Sequence, residues 1–80
     1  MYIIIVYDAA PKRGAKLLKF LRRHLIWIQN SVFEGEVTEA QLQIILKGIK
    51  DIINKAKDSV IYYVFDSKNY TERGATGSSR

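Results

Sequence analysis

Eighty residues, nearly half of them apolar, make one domain, and a chain this short buries only about 60 to 65 per cent of the surface it exposes when unfolded. There is no cysteine, which excludes disulfides and thiolate metal sites and leaves oxygen ligands, or the single imidazole of His24, for any metal. The formal charge of +5 is concentrated: six of the thirteen basic residues fall between Lys12 and Arg23, where no acid lies, and this points to a polyanionic partner, nucleic acid rather than membrane.

The chain opens on Met1-Tyr2-Ile3-Ile4-Ile5-Val6-Tyr7-Asp8, an apolar, β-branched and aromatic run that ends on a carboxylate. That composition suits a pleated strand. Ile3, Ile5 and Tyr7 point to one face and Tyr2, Ile4 and Val6 to the other, so both faces need cover and the strand belongs in the centre of a sheet. The run has no basic leader and is too short to span a bilayer, and the expectation is a cytoplasmic protein with no membrane partner. Asp8 admits two readings. It turns the chain or caps the coming helix, or it does chemistry at the carboxyl end of a central strand. Ala9-Ala10-Pro11 then leads into a helix.

That helix is expected over residues 12 to 24, with Leu17, Leu18, Leu21 and Leu25 inward and Gly14 allowing close approach to the sheet. Lys12, Lys16, Lys19 and Arg23 fall within about 60° of one another on the opposite side. A helix that needs only solubility mixes its charges to gain i to i+4 pairs, and this one forgoes them, so the stripe is either a solvated face or a phosphate-binding one. His24 reads as a residue complementing the helix dipole, with no catalytic role.

From Leu25 to Val37 the pattern is strand-like: two antiparallel strands with a tight turn near Asn30-Ser31, or one strand broken by a bulge there. Phe33 and Trp27 read as core or as bases' stacking partners. Thr38-Glu39-Ala40-Gln41 is a capping box that starts a second helix, whose apolar stripe runs from Leu42 to Ala56. Its mixed charges mark it as scaffold. Lys55 to Ser59 is a polar exit. Val60-Ile61-Tyr62-Tyr63-Val64-Phe65 is a further strand apolar on both faces, ending on Asp66. The expected division is a domain over 1–66 and a polar tail over 67–80, without fixed structure in isolation.

Strand, helix, strand, strand, helix, strand is the split βαβ, ferredoxin-like order: an α+β fold with two helices on one face of a four-stranded antiparallel sheet. The first and last strands are apolar on both sides, so the other face calls for a second copy of the chain, a homodimer packed through its sheets.

The run ending in Tyr7-Asp8, the stretch Gln29-Asn30-Ser31-Val32-Phe33-Glu34-Gly35-Glu36-Val37-Thr38 and the late Asp58-Ser59-Val60-Ile61-Tyr62 together closely resemble the CRISPR-associated Cas2 family, over residues 1 to about 66. The resemblance implies a ferredoxin-like homodimer that works with the spacer integrase in capturing new spacers. It also implies a magnesium-dependent endonuclease, using Mg2+ or another divalent cation, on single-stranded RNA or on duplex DNA. The family's strand-end aspartate matches Asp8, which becomes the expected catalytic and metal-binding residue. Lys12, Arg13, Lys16, Lys19 and Arg23 are the expected nucleic-acid contacts, and Tyr7 and Phe33 the candidates for positioning substrate. The chain departs from the family at its end, where Glu72 to Arg80 is too polar and glycine-rich for the further apolar strand that pairs with the partner subunit. Other readings are a non-catalytic architectural dimer that bridges integrase subunits, a VapD-type RNA-cleaving toxin, and a ferredoxin-like domain that binds a small metabolite.

Overall fold

In the computed structural model, which describes residues 1–66 and 71–77, β1 (Tyr2–Asp8) is the central strand of an antiparallel sheet. The elements that follow are α1 (Pro11–Leu21), β2 (Ile26–Gln29), β3 (Val32–Glu36), α2 (Glu39–Ile52), β4 (Ser59–Phe65) and β5 (Thr71–Gly77), and the sheet order is β2-β3-β1-β4-β5. β1 pairs with β3 from Tyr2↔Glu36 to Val6↔Val32, and with β4 from Tyr2↔Phe65 to Asp8↔Ser59. The ferredoxin-like βαββαβ order is therefore present. Of the two readings for residues 25 to 37, the hairpin is the one realised, with Asn30 taking a positive φ of 45° in its turn and a register shift between Trp27 and Gln29.

The alternation in β1 sets the layers. Ile3, Ile5 and Tyr7 are buried beneath the helices with Phe33 of β3 and Val60 of β4, against Leu17 and Leu21 of α1 and Leu42, Ile45 and Ile49 of α2. Burial of each such side chain is worth about 1.5–3 kcal/mol, which exceeds the intrinsic preference of helices this short and explains why their apolar stripes hold them in place. Tyr2, Ile4 and Val6 lie on the opposite face with Val32, Ile61, Tyr63 and Phe65, all half-buried in the single chain.

Helix α2 starts at the expected capping box: Thr38 accepts from the Gln41 N–H and Gln41 Oε1 accepts from the Thr38 N–H. It stops at Ile52, so Ala56 lies beyond it and is exposed. Helix α1 begins on Pro11 and ends at Leu21 rather than at His24, because the Arg23 and His24 N–H groups bond three residues back, to Phe20 and Leu21, and wind the chain out of the helix before the apolar run of β2. Gly14 is not the close approach. A Cβ there would meet nothing nearer than 3.9 Å, whereas at Gly48 it would lie 2.1 Å from the Phe20 ring, so it is α1 against α2 that needs a glycine.

The end of the chain corrects two expectations. Thr71–Gly77, read as part of a structureless polar tail, pairs with β4 along its whole length, from Phe65↔Thr71 to Ser59↔Gly77, and the sheet has five strands instead of four. Backbone groups make a ladder, so a polar and glycine-rich sequence can still cover the edge that β4 would otherwise leave open. Residues 67–70 and 78–80, the rest of the expected tail, lie outside the described residues.

Candidate active site and nucleic-acid interface

Asp8 is the last residue of β1 and is exposed, paired in register with Ser59. Its even place in the alternation puts it on the same side as Tyr2, Ile4 and Val6, the sheet face that the helices leave uncovered. The chain on both sides of it is pinned. The Tyr7 N–H donates to the Ser31 carbonyl, and the Tyr7 hydroxyl reaches the Gly14 carbonyl at 3.4 Å, tying the strand end to the first turns of α1. On the other side Ala10 is the helix N-cap and has no side chain to cap with, and α1 has no acid in its first turn.

The missing carboxylate comes from another part of the chain. Asp58, only 1% exposed, accepts from the Ala10 N–H at 3.3 Å, from the Asn54 N–H at 2.8 Å, and from Arg13 through both Nε and Nη2, the latter at 3.0 Å. The Arg13 hydrogen bonds hold its carboxyl well below the usual carboxylate range; burial opposes them and the backbone donors add to them. This corrects the expected role of Arg13: its guanidinium is spent inside the fold, on Asp58, and is not offered to a phosphate. Sequence reasoning passed over Asp58 because it sits among polar residues of a helix exit. Its signal in the sequence is position, immediately before an apolar strand.

The other basic residues keep their side chains on the surface, although Arg23 lies beyond the end of α1 instead of within the helix. Lys12, Lys16 and Lys19 are exposed along α1, with Arg22 and Arg23 exposed in the turn that follows it, and among the described residues none of the five forms an ion pair. The stripe therefore begins within a turn of Asp8 and is electrostatically unspent. Phe33 is fully buried, and Tyr7 nearly so, the two rings stacked with centroids 6.3 Å apart. Neither presents a ring to a substrate, and Phe33 leaves the set of positioning candidates because the register of β3 turns it beneath the helices. Burial also raises the pKa of the Tyr7 hydroxyl. The exposed aromatic of the hairpin is Trp27, close to Arg22. A shallow depression lined by Met1, Tyr2, Glu36, Phe65 and Asp66 lies at the far end of β1 from Asp8 and has no part in this site.

Among the described residues no three of the His, Asp and Glu side chains gather into a metal cage. The donor chemistry at Asp8 nonetheless fits a hard cation: magnesium is commonly held by one or two carboxylates with waters and substrate phosphate oxygens, and Asp8 is an exposed carboxylate beside a helix that carries exposed lysines.

Residues 1–73 match the family model for CRISPR associated protein Cas2. Among curated proteins, the chain is 47% identical over 77 residues to a CRISPR-associated endoribonuclease Cas2 of Dictyoglomus turgidum, covering 96% of this chain and 88% of that protein. It is 57% identical over 63 residues to the CRISPR-associated endoribonuclease Cas2 of Pyrococcus furiosus, covering 79% and 74%. Among solved structures, a Cas2 crystal structure superposes with a TM-score of 0.79 at 44% identity, covering 88% of this chain and 79% of the other. Cas2 of Streptococcus pyogenes superposes with a TM-score of 0.76 at 29% identity, covering 82% and 87%.

Proposed function

The chain belongs to the CRISPR-associated Cas2 family, and from that premise we propose that it is an endoribonuclease that hydrolyses phosphodiesters at Asp8, as a homodimer, with a divalent cation. The observation that carries the reading is the place of Asp8: exposed at the carboxyl end of the central strand, on the uncovered face, and followed directly by a helix whose Lys12, Lys16 and Lys19 are exposed. The relatives' names supply the chemistry, an endoribonuclease.

Ile4, Val6, Val32, Ile61, Tyr63 and Phe65 form the apolar face on which a second copy would pack, and a twofold axis through it would bring two Asp8 carboxylates toward one another. Asp8 would hold Mg2+ or another divalent cation. Bound there, the ion would supply a polarised water and neutralise charge on the scissile phosphate. Lys12 and Lys16 would hold the phosphates on either side of the scissile one, their charges attracting the backbone without reading its sequence. Asp58, through Ala10 and Arg13, would keep the link between Asp8 and α1 in register, and Tyr7 would do the same through Gly14. The wider role is capture of new spacers with the CRISPR spacer integrase, with duplex DNA as a further substrate.

A second reading has its own observation. Lys12, Lys16 and Lys19 are exposed along α1, and a basic face of this kind would also serve a dimer that clamps duplex DNA between integrase subunits without cleaving it. A VapD-type toxin has no comparable support.

Asp8→Asn separates the two, because it keeps the shape and removes the charge a divalent cation requires. Cleavage of labelled single-stranded RNA and duplex DNA is measured with magnesium, and binding in chelator, on protein shown by sedimentation at micromolar concentration to be dimeric. Loss of cleavage by orders of magnitude with binding kept is the expected result. Unchanged cleavage would make Asp8 a turn residue, and tight binding without cleavage by either protein would favour the clamp. A stable, folded monomer would sink the shared ion.

A further inference from the structure

Trp27 is the only tryptophan in the chain and is 46% exposed, between Ile26 and Ile28, which are exposed as well. Single apolar residues on a surface are ordinary. This one is held in place for no reason the core requires. Its Nε1 donates at 2.9 Å to the carbonyl of Asn30, the turn residue with the positive φ, and the Arg22 guanidinium lies over the ring, 5.7 Å from its centroid. A tethered indole with a cation over it is a rigid, amphipathic plate.

The register says which face the plate belongs to. Trp27 pairs with Phe33, which lies under the helices, so Trp27 shares the helix-bearing side of the sheet with α1, and not the open side of Val6 and Asp8 where a second copy would pack. It would remain accessible in such a dimer. The plate also continues the basic stripe, since Lys19, Arg22 and Arg23 are exposed in the last turn of α1 and the turn that leads into β2.

We propose that Trp27 and Arg22 form a stacking platform for an unpaired base of single-stranded nucleic acid, whose phosphates follow Arg23, Lys19 and Lys16 along α1. The proposal rests on the nucleic-acid reading above and adds to it a subsite at the β2 edge for a base that is out of a duplex. Arg can stack as well as neutralise, and a base on an indole gains by its π-face whatever its identity, so the platform selects single strands over duplexes without selecting sequence. Nothing about it depends on Asp8.

The lone tryptophan makes the test direct. The whole chain is titrated in chelator with a short single-stranded oligouridylate and with a blunt RNA duplex of the same length, following tryptophan fluorescence and the anisotropy of the labelled RNA. The single strand should quench Trp27 as it binds and the duplex should bind without quenching. Trp27→Ala should weaken single-strand binding about tenfold or more, the usual effect of removing one stacked base, with the salt dependence unchanged. Trp27→Phe, which keeps a ring, should recover most of the loss and guards against a folding artefact. Saturating anisotropy with no change in fluorescence, or equal affinity in Trp27→Ala, overturns the platform. If either comes with cleavage intact in Trp27→Ala and lost in Asp8→Asn, the nuclease reading survives alone. Failure of both RNAs to bind at low salt overturns the platform and the nucleic-acid reading together. Loss of self-association in Trp27→Ala makes the surface a protein contact and overturns the platform too.

Discussion

Removing the Asp58 carboxylate should cost this protein a large share of its stability. In Asp58→Ala the N–H groups of Ala10 and Asn54 lose their acceptor, and Arg13 loses its partner. An orphaned donor in a buried setting costs about 1–3 kcal/mol, and both sites are only partly buried, so the two N–H groups together should account for about 3 kcal/mol. The Arg13 side chain is 27% exposed and can turn to water, which keeps the loss below that of a fully buried pair. Native domains hold roughly 0.05–0.15 kcal/mol per residue, so about 3 kcal/mol is between a quarter and most of what eighty residues possess. At about 4–8 °C per kcal/mol for a domain of this size, the melting temperature should fall by about 12–24 °C. Unfolding is followed by circular dichroism at one fixed protein concentration, because association alters apparent stability. The pH dependence has a definite sign. Asp58 is depressed in the folded state, so its contribution is fully present above the unfolded carboxylate pKa of about 3.9 and fades as the pH falls below it. The gap between wild type and Asp58→Asn should therefore be constant near neutrality and close in acid. A loss under about 0.5 kcal/mol at neutral pH, the range of an ordinary surface substitution, would refute the assignment of Asp58 as the lock between α1 and β4.

Two further outcomes follow from packing and charge. Gly48→Ala should destabilise by about 1 kcal/mol in denaturant titration, since the roughly 1 kcal/mol gained in helix propensity is outweighed by about 1–3 kcal/mol for displacing the Phe20 ring; a gain in stability would show that the ring moves aside without cost. With Lys12, Lys16, Lys19 and Arg23 engaged in both protomers, the log-log salt slope for duplex DNA should be near −7, at about −0.9 per phosphate, and neutralising Lys16 and Lys19 should flatten it by about 4; a slope near zero would return the stripe to a solvated face.

The order of the elements from β1 to β4, the capping box at Thr38 and Gln41, the central place of β1 and the position of Asp8 at its end were legible in the sequence because each rests on local pattern: period-two alternation, helical spacing, or a side chain bonding three residues away. The shared face of Lys12, Lys16 and Lys19 was legible for the same reason, as residues three and four apart lie together on a helix wherever it is placed, whereas Arg23, expected with them, lies beyond the helix end. What the sequence could not show were relations between distant segments. Arg13 looked identical to Lys12 and Lys16 until the fold brought Asp58, forty-five residues later, against it and paired its charge inside the fold. Phe33 and Trp27 were equivalent hairpin aromatics until the pairing of β3 with β1 buried one and the edge position of β2 exposed the other. The strand Thr71–Gly77 carries no apolar signature, and only the open edge of β4, a property of the assembled sheet, gives its backbone a partner.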